Sequence, residues 1–172
     1  KPILLDFGIA KLAGLGKSGD LEGSRNRILT PEYASPEQIR DENVSTVSDI
    51  YSLGVLLYEM LTGTPPYILD ERSTEGVMRE MEKITIQKPS LVRNDKKLKG
   101  DLDAIILKAL RRQPNKRYSS AEQFSSDLIR YLTSMPVSAR NETFGYITGK
   151  FFRRNKIGSL ITAVIAFLVL TF

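Results

Sequence analysis

Apolar and polar positions alternate between two regimes along the chain, brief uninterrupted apolar runs and longer stretches with helical spacing. Residues 2–5 form a short apolar run closed by Asp6-Phe7-Gly8, too brief for a helix, and predict a buried strand. From Ala13 to Ile28 the chain turns to Gly, Ser, Lys, Arg and Asn without periodicity, which predicts a long, functional loop. In SDIYSLGVLLYEMLTG, residues 48–63, Ile50, Leu53, Leu57, Met60 and Leu61 keep helical spacing while Tyr51, Val55, Leu56 and Tyr58 fill the other sides. A helix apolar nearly all round belongs inside a domain, and Gly63 followed by Pro65-Pro66 should end it. Residues 74–84 predict a more polar surface helix, and LVRNDKKLKGD at 91–101 a solvated basic connection. Leu102, Ile105, Ile106, Ala109 and Leu110 then lie on one side of a helix that Pro114 stops. Ser120 and Gln123 form a capping-box pattern ahead of a stripe of Phe124, Leu128, Tyr131 and Leu132.

After Leu132 comes a Pro-containing stretch, the basic cluster KFFRRNK, and sixteen residues without charge, 157–172. Ten of those sixteen are Leu, Ile, Val or Phe. As a helix they would extend about 24 Å against a hydrocarbon core of about 30 Å, so they read as the start of a transmembrane helix. A core or interfacial helix is the alternative. It is disfavoured by the missing polar face and by the basic cluster directly before the run, as expected on a cytoplasmic flank.

Composition narrows the chemistry. The 172 residues fit one domain plus a tail. The net charge of +5 owes four units to Lys150, Arg153, Arg154 and Lys156, leaving a nearly neutral remainder that does not suit a nucleic-acid partner. Cysteine and histidine are both absent, which removes disulfides, thiolate sites, most zinc sites and the usual general base. What is left is carboxylates, hydroxyls and backbone groups.

Four blocks occur in order: Asp6-Phe7-Gly8, TPEYASPEQ at 30–38, SDIYSLGVLLYEMLTGTPPY at 48–67 and NKRYSSAEQF at 115–124. Together they resemble the C-terminal lobe of eukaryotic-like (Hanks-type) protein serine/threonine kinases over roughly residues 1–133. The Pro136–Arg140 and Lys150–Arg154 segments, followed by the uncharged run, resemble bacterial membrane-anchored members. The resemblance implies a mainly α fold: an activation segment and a helical bundle around one buried helix (1–133), a basic juxtamembrane linker (134–156) and the start of a transmembrane helix (157–172).

It also implies roles. Asp6 matches the carboxylate that holds the Mg2+ bridging the ATP phosphates, a site suited to a hard oxygen ligand. Phe7 would pack inward and Gly8 would let the backbone swing. Thr30, in Thr30-Pro31-Glu32-Tyr33, matches the substrate-receiving loop and favours Ser or Thr acceptors. Ser35-Pro36-Glu37 stands where Ala-Pro-Glu is commoner, a change expected to be harmless. Glu37 matches the acid that pairs with a buried arginine, and Arg117 matches its partner. Asp49 matches the acid that hydrogen-bonds the catalytic loop; a first-turn acid favoured by the helix dipole is the plainer reading. Ser18, Ser24 and Thr30 are candidate phosphorylation sites, each equally readable as a solvated loop hydroxyl.

The family's Gly-rich loop, strand lysine, its glutamate partner and the catalytic loop are not found in these residues, and the lack of histidine excludes a His-Arg-Asp loop anywhere in them. The expectation is a fragment of a single-pass cell-membrane kinase with its kinase portion in the cytoplasm. Its partners would be protein substrates, the missing N-lobe and membrane lipid, and it would be inactive alone. The rivals are a non-catalytic interaction module and a small membrane-anchored helical protein with vestigial kinase features.

Overall fold

The computed structural model describes residues 33–68 and 74–155, all within one compact unit spanning Pro31–Phe172. Among the described residues the regular structure is helical: α1 Pro36–Ile39, α2 Thr46–Thr62, α3 Thr74–Lys83, α4 Pro89–Val92, α5 Asp101–Ala109, α6 Ala121–Leu132 and α7 Phe144–Arg154. The expected strand at 2–5 and the loop at 13–28 lie outside the described residues.

α2 is the central element. It begins at Thr46, two residues earlier than its apolar pattern suggests, because Ser45 caps it and accepts the Val47 N–H at 3.3 Å. It ends at Gly63, whose φ of 80° is the left-handed conformation a glycine adopts without strain. Its apolar ring is not uniformly inside. Ile50, Tyr51, Gly54, Val55 and Tyr58 are buried, whereas Leu53, Leu56 and Met60 are exposed, Met60 by 74%. The exposed three recur at i, i+3 and i+7, a single face. Of the residues picked out by spacing, Ile50 is buried and Leu57 and Leu61 pack against the core, while Leu53 and Met60 face outward.

The buried face of α2 packs on α5, whose Leu102, Ile105, Ile106, Ala109 and Leu110 are all buried as their spacing requires. Two apolar clusters result: Tyr51, Val55, Tyr58, Tyr67, Met81, Ile106 and Leu110 in one, and Ile50, Ile105, Ala109, Tyr118, Phe124 and Val137 in the other. α5 stops at Ala109, well before Pro114, which opens a 3-10 turn, Pro114–Lys116. In α6 Phe124 is buried, but Leu132 is 77% exposed and leaves the stripe. Ser120 accepts the Gln123 N–H at 3.3 Å, while the Gln123 amide reaches the N–H of Ser119, one residue off the reciprocal box.

Two stretches read as connections are ordered against the domain. The basic loop at 91–101 begins inside α4, which Pro89 opens at the position where its missing N–H costs nothing, and it buries Leu98. Four residues are too few to show a period. Beyond Thr133, where a linker was expected, Val137 is 1% exposed in the second apolar cluster, and residues 144–154 form α7.

α2 and α5 approach closely at Gly54, where an added Cβ would stand 2.9 Å from the Ala109 Cβ, a group with no freedom to move aside. Gly54→Ala should therefore lower stability by about 1–3 kcal/mol, although alanine is the better helix former by about 1 kcal/mol. Urea unfolding of the two proteins measures the difference; a stabilised variant would mean that the helices separate at little cost.

Candidate functional site

Asp6, Phe7, Gly8, Ser18, Ser24 and Thr30 lie outside the described residues. The described part of the candidate site begins at Tyr33 and consists of what holds residues 33–37 to the helical body.

Ser35 opens α1. Its backbone N–H and hydroxyl both donate to the Gln38 Oε1, at 2.8 and 2.9 Å, and its hydroxyl accepts the Gln38 N–H. The serine that replaces the commoner alanine is fully buried and serves as the helix cap, so it is more than a neutral substitute. One turn on, Glu37 meets Arg117 across 80 residues of sequence. The pair is two-pronged: Nη1 donates to Oε1 at 2.6 Å and Nη2 to Oε2 at 2.7 Å. Glu37 and Arg117 are 3% and 5% exposed.

The guanidinium makes further bonds, Nε to the Arg111 carbonyl at 2.6 Å, Nη1 to Val47 at 3.1 Å and Nη2 to Arg112 at 3.0 Å. All five of its N–H donors are thus used, a set no lysine could reproduce. Its plane lies over the Tyr51 ring, 4.8 Å from the centroid. The Ser48 hydroxyl adds a bond to Glu37 Oε1 at 2.7 Å. Burial alone would push the Glu37 carboxyl up, but the hydrogen bonds from Arg117 and Ser48 outweigh it and hold the group at about 2, against an ordinary 4.5.

Two more bonds fix the residues just before this pair. The Ser52 hydroxyl donates to the Tyr33 carbonyl at 2.7 Å, and the Tyr33 hydroxyl donates to Glu59 at 2.6 Å. Residues 33–37 are therefore held by α2 and by the turn that carries Arg117. The arrangement positions a segment; it does no chemistry of its own. Asp49 stands exposed in the first turn of α2, where the helix dipole favours an acid.

Three buried aspartates were missed by sequence reasoning. Asp127, 1% exposed, accepts the Tyr118 hydroxyl at 2.9 Å, the Ser138 N–H at 2.7 Å, the Ser138 hydroxyl at 2.9 Å and the Ala139 N–H at 2.9 Å. Burial, together with that carboxylate, pushes the Tyr118 phenol far up, so it stays a donor. Asp103 accepts both the N–H and the hydroxyl of Ser90. Asp101 takes Arg140 at 3.0 Å and also Lys150; burial pushes its carboxyl up, but these two cations overcome that and lower it. A signal existed for Asp127, which sits three residues after Phe124 and four before Tyr131, on the apolar side of its helix. An acid there has to find donors inside.

Arg117→Met should cost about 4 kcal/mol or more and Glu37→Gln about 3 kcal/mol in urea unfolding, since losing the arginine strands three carbonyls as well as its mate. Equal losses would mean that the carbonyl bonds contribute nothing. Because the Glu37 carboxyl is lowered on folding, its contribution is complete above about pH 4.5 and disappears as pH falls towards 2, a span worth about 3 kcal/mol. The stability difference between the unsubstituted chain and Glu37→Gln should shrink over that interval. A difference that stays constant would exclude a lowered carboxyl.

The protein kinase domain family profile matches residues 2–129, most of the chain. The chain is 39% identical over 136 residues to the serine/threonine-protein kinase PknB of Mycobacterium leprae, covering 79% of this chain and 21% of that protein. It is 43% identical over 128 residues to PknB of Mycolicibacterium smegmatis, covering 74% and 20%. A probable serine/threonine-protein kinase of Streptomyces coelicolor is 39% identical over 137 residues, covering 79% and 20%. Among solved structures, the twitchin kinase region from C. elegans is similar at a TM-score of 0.47 and 23% identity over 77% of this chain and 21% of that one, which adds nothing to the assignment. The chain spans about a fifth of the length of the curated relatives it matches. On the profile match and these relatives, the chain belongs to the protein kinase domain family, among its serine/threonine-protein kinases.

Proposed function

We propose that this chain is the portion of a single-pass, membrane-anchored protein serine/threonine kinase that runs from the Asp-Phe-Gly motif to the start of its membrane helix. The parent transfers the γ-phosphate of ATP to Ser or Thr of protein substrates, with the kinase portion on the cytoplasmic side. The observation that supports this best is the buried Glu37–Arg117 pair in a chain that matches the family over residues 2–129. Glu37 and Arg117 match the family's acid and buried arginine, and Thr30 matches the serine/threonine pattern in the loop that receives substrate.

Among the described residues no cluster of three or more His, Cys, Asp or Glu could hold a metal ion. Mg2+ and ATP enter this reading only through Asp6 of the family motif. Membrane anchoring rests on the uncharged run at 157–172 behind a basic cluster. Among the described residues no helix is long and apolar enough to cross a membrane, and that run lies outside them.

These 172 residues alone are inactive in this reading, since phosphoryl transfer depends on positioning and electrostatics from several groups and one magnesium ligand supplies neither. The absence of histidine favours that statement for the chain taken by itself. The test is to translate the DNA upstream of the Lys1 codon and express the complete reading frame. It should phosphorylate a generic Ser/Thr substrate with Mg2+ and ATP, and Asp6→Asn should lower the rate by about 100-fold or more. Residues 1–172 should show no transfer. Phosphorylation by the chain alone, or full activity of Asp6→Asn, would sink the proposal.

A further inference from the structure

Among the described residues, the bonds that hold α7 to the rest of the domain come from two of its side chains. Lys150 pairs with the buried Asp101, and the Tyr146 hydroxyl accepts the Val137 N–H at 3.0 Å. Arg140, from the segment before the helix, lies over the Tyr146 ring at 4.4 Å and reaches Asp101 at 3.0 Å. Every one of these contacts is polar or cation–π. None of the described side chains of α7 is buried or joins either apolar cluster, and Phe144, Ile147 and Phe151 stand exposed. Gly145 and Gly149 add no packing, since a Cβ built on either would meet nothing within 4 Å.

The backbone bonds of α7 stay within the helix and its flanking residues, and its N-terminus at Thr143 has no side-chain cap. An isolated helix of 11 residues is marginal in water, so α7 depends on its few docking bonds. The segment just before it is held differently. Val137 is 1% exposed in an apolar cluster, and Asp127 accepts the N–H groups of Ser138 and Ala139. Residues 141–143, between the seated segment and α7, are exposed. Lifting α7 away strands no charge: Asp101 keeps Arg140 and its place in the first turn of α5, where the helix dipole favours an anion, while Lys150 passes into water. Among the described residues the Val137 N–H is the only backbone group of the body that loses its partner.

We infer that α7 is a hinged strap, pivoting at residues 141–143 between a position latched by Lys150 on Asp101 and an open one, while the body up to Arg140 stays folded in both. A latch of one ion pair and one hydroxyl bond opens far more readily than the apolar contacts that seat α5 and α6. The strap decouples the body from the residues that follow it, because a displacement of those residues is taken up at 141–143 before it reaches the core. This is a property of the fold, and it holds whether or not the parent is an active or a membrane-anchored kinase.

Hydrogen exchange read by mass spectrometry on the full 172-residue chain tests the strap. Peptides covering α7 should be protected, but at least about 100-fold less than those of α5 and α6. Lys150→Gln should lower the protection of α7 by a further factor of about 10 and leave residues 137–140, α5 and α6 unchanged, because the pair it removes is shielded, with the Lys150 side chain 13% exposed. Lys99→Gln removes the same charge from the cleft beside α7 without breaking an ion pair among the described residues, and should change nothing. Exchange of α7 in step with α5 and α6 overturns the inference, since the helix would then open only with the body. So does an α7 that ignores Lys150→Gln, an equal loss of protection in α7 and the body, or an equal effect of Lys99→Gln, which would assign the hold to net charge. An α7 without any protection in the unsubstituted chain overturns it as well, because there would be no latched position to leave.

Discussion

The described structure depends on one charge pair that cannot be loosened piecemeal. Arg117 spends all five donors at once, on the Glu37 carboxylate and on the carbonyls of Val47, Arg111 and Arg112, so it joins the start of α1, the start of α2 and the turn after α5. A buried pair of this kind contributes little net stability, because desolvation offsets most of the attraction. Its contribution is to geometry: any other arrangement of these three chain segments leaves a charge or several carbonyls without partners. Residues 33–37 are fixed through this constraint, since the pair sets α1 and the Ser35 cap, and the bonds with Ser52 and Glu59 hold Tyr33.

Much of the helical body was legible because it obeys one period. α5 buried every residue its spacing nominated, and α2 ended at Gly63 as its glycine and prolines require. α2 itself was less legible: with apolar residues on nearly all sides, periodicity cannot choose a face, and the side that the structure buries carries Gly54, where an added Cβ would meet Ala109. The pairing of Glu37 with Arg117 was reached through resemblance alone, since no local pattern links residues 80 apart. α4 escaped notice for want of length. The docking of residues 137–140 escaped because its partners, Asp101 and Asp127, look in sequence like ordinary helix acids.

Those two aspartates give the domain a second polar centre. Asp127 takes its four donors from Tyr118 and from the chain at Ser138 and Ala139, while Asp101 takes two cations from Arg140 and Lys150. The segment after α6 is thereby clasped at Ser138–Ala139 and at Arg140, with Val137 seated just before these clasps in the same apolar cluster as Ile50 and Phe124. Ion pairs to a half-exposed Arg140 are screened and weak; the neutral donors on Asp127 and the seated valine carry more of the hold.

The Asp127 clasp decides where the globule may be cut. Severing the polypeptide after α6, where the regular helices of the body run out, would strip three donors from an enclosed carboxylate and open a valine-sized hole beneath Tyr118. The natural seam of this unit lies past Arg140, and a shorter excerpt would be a damaged one.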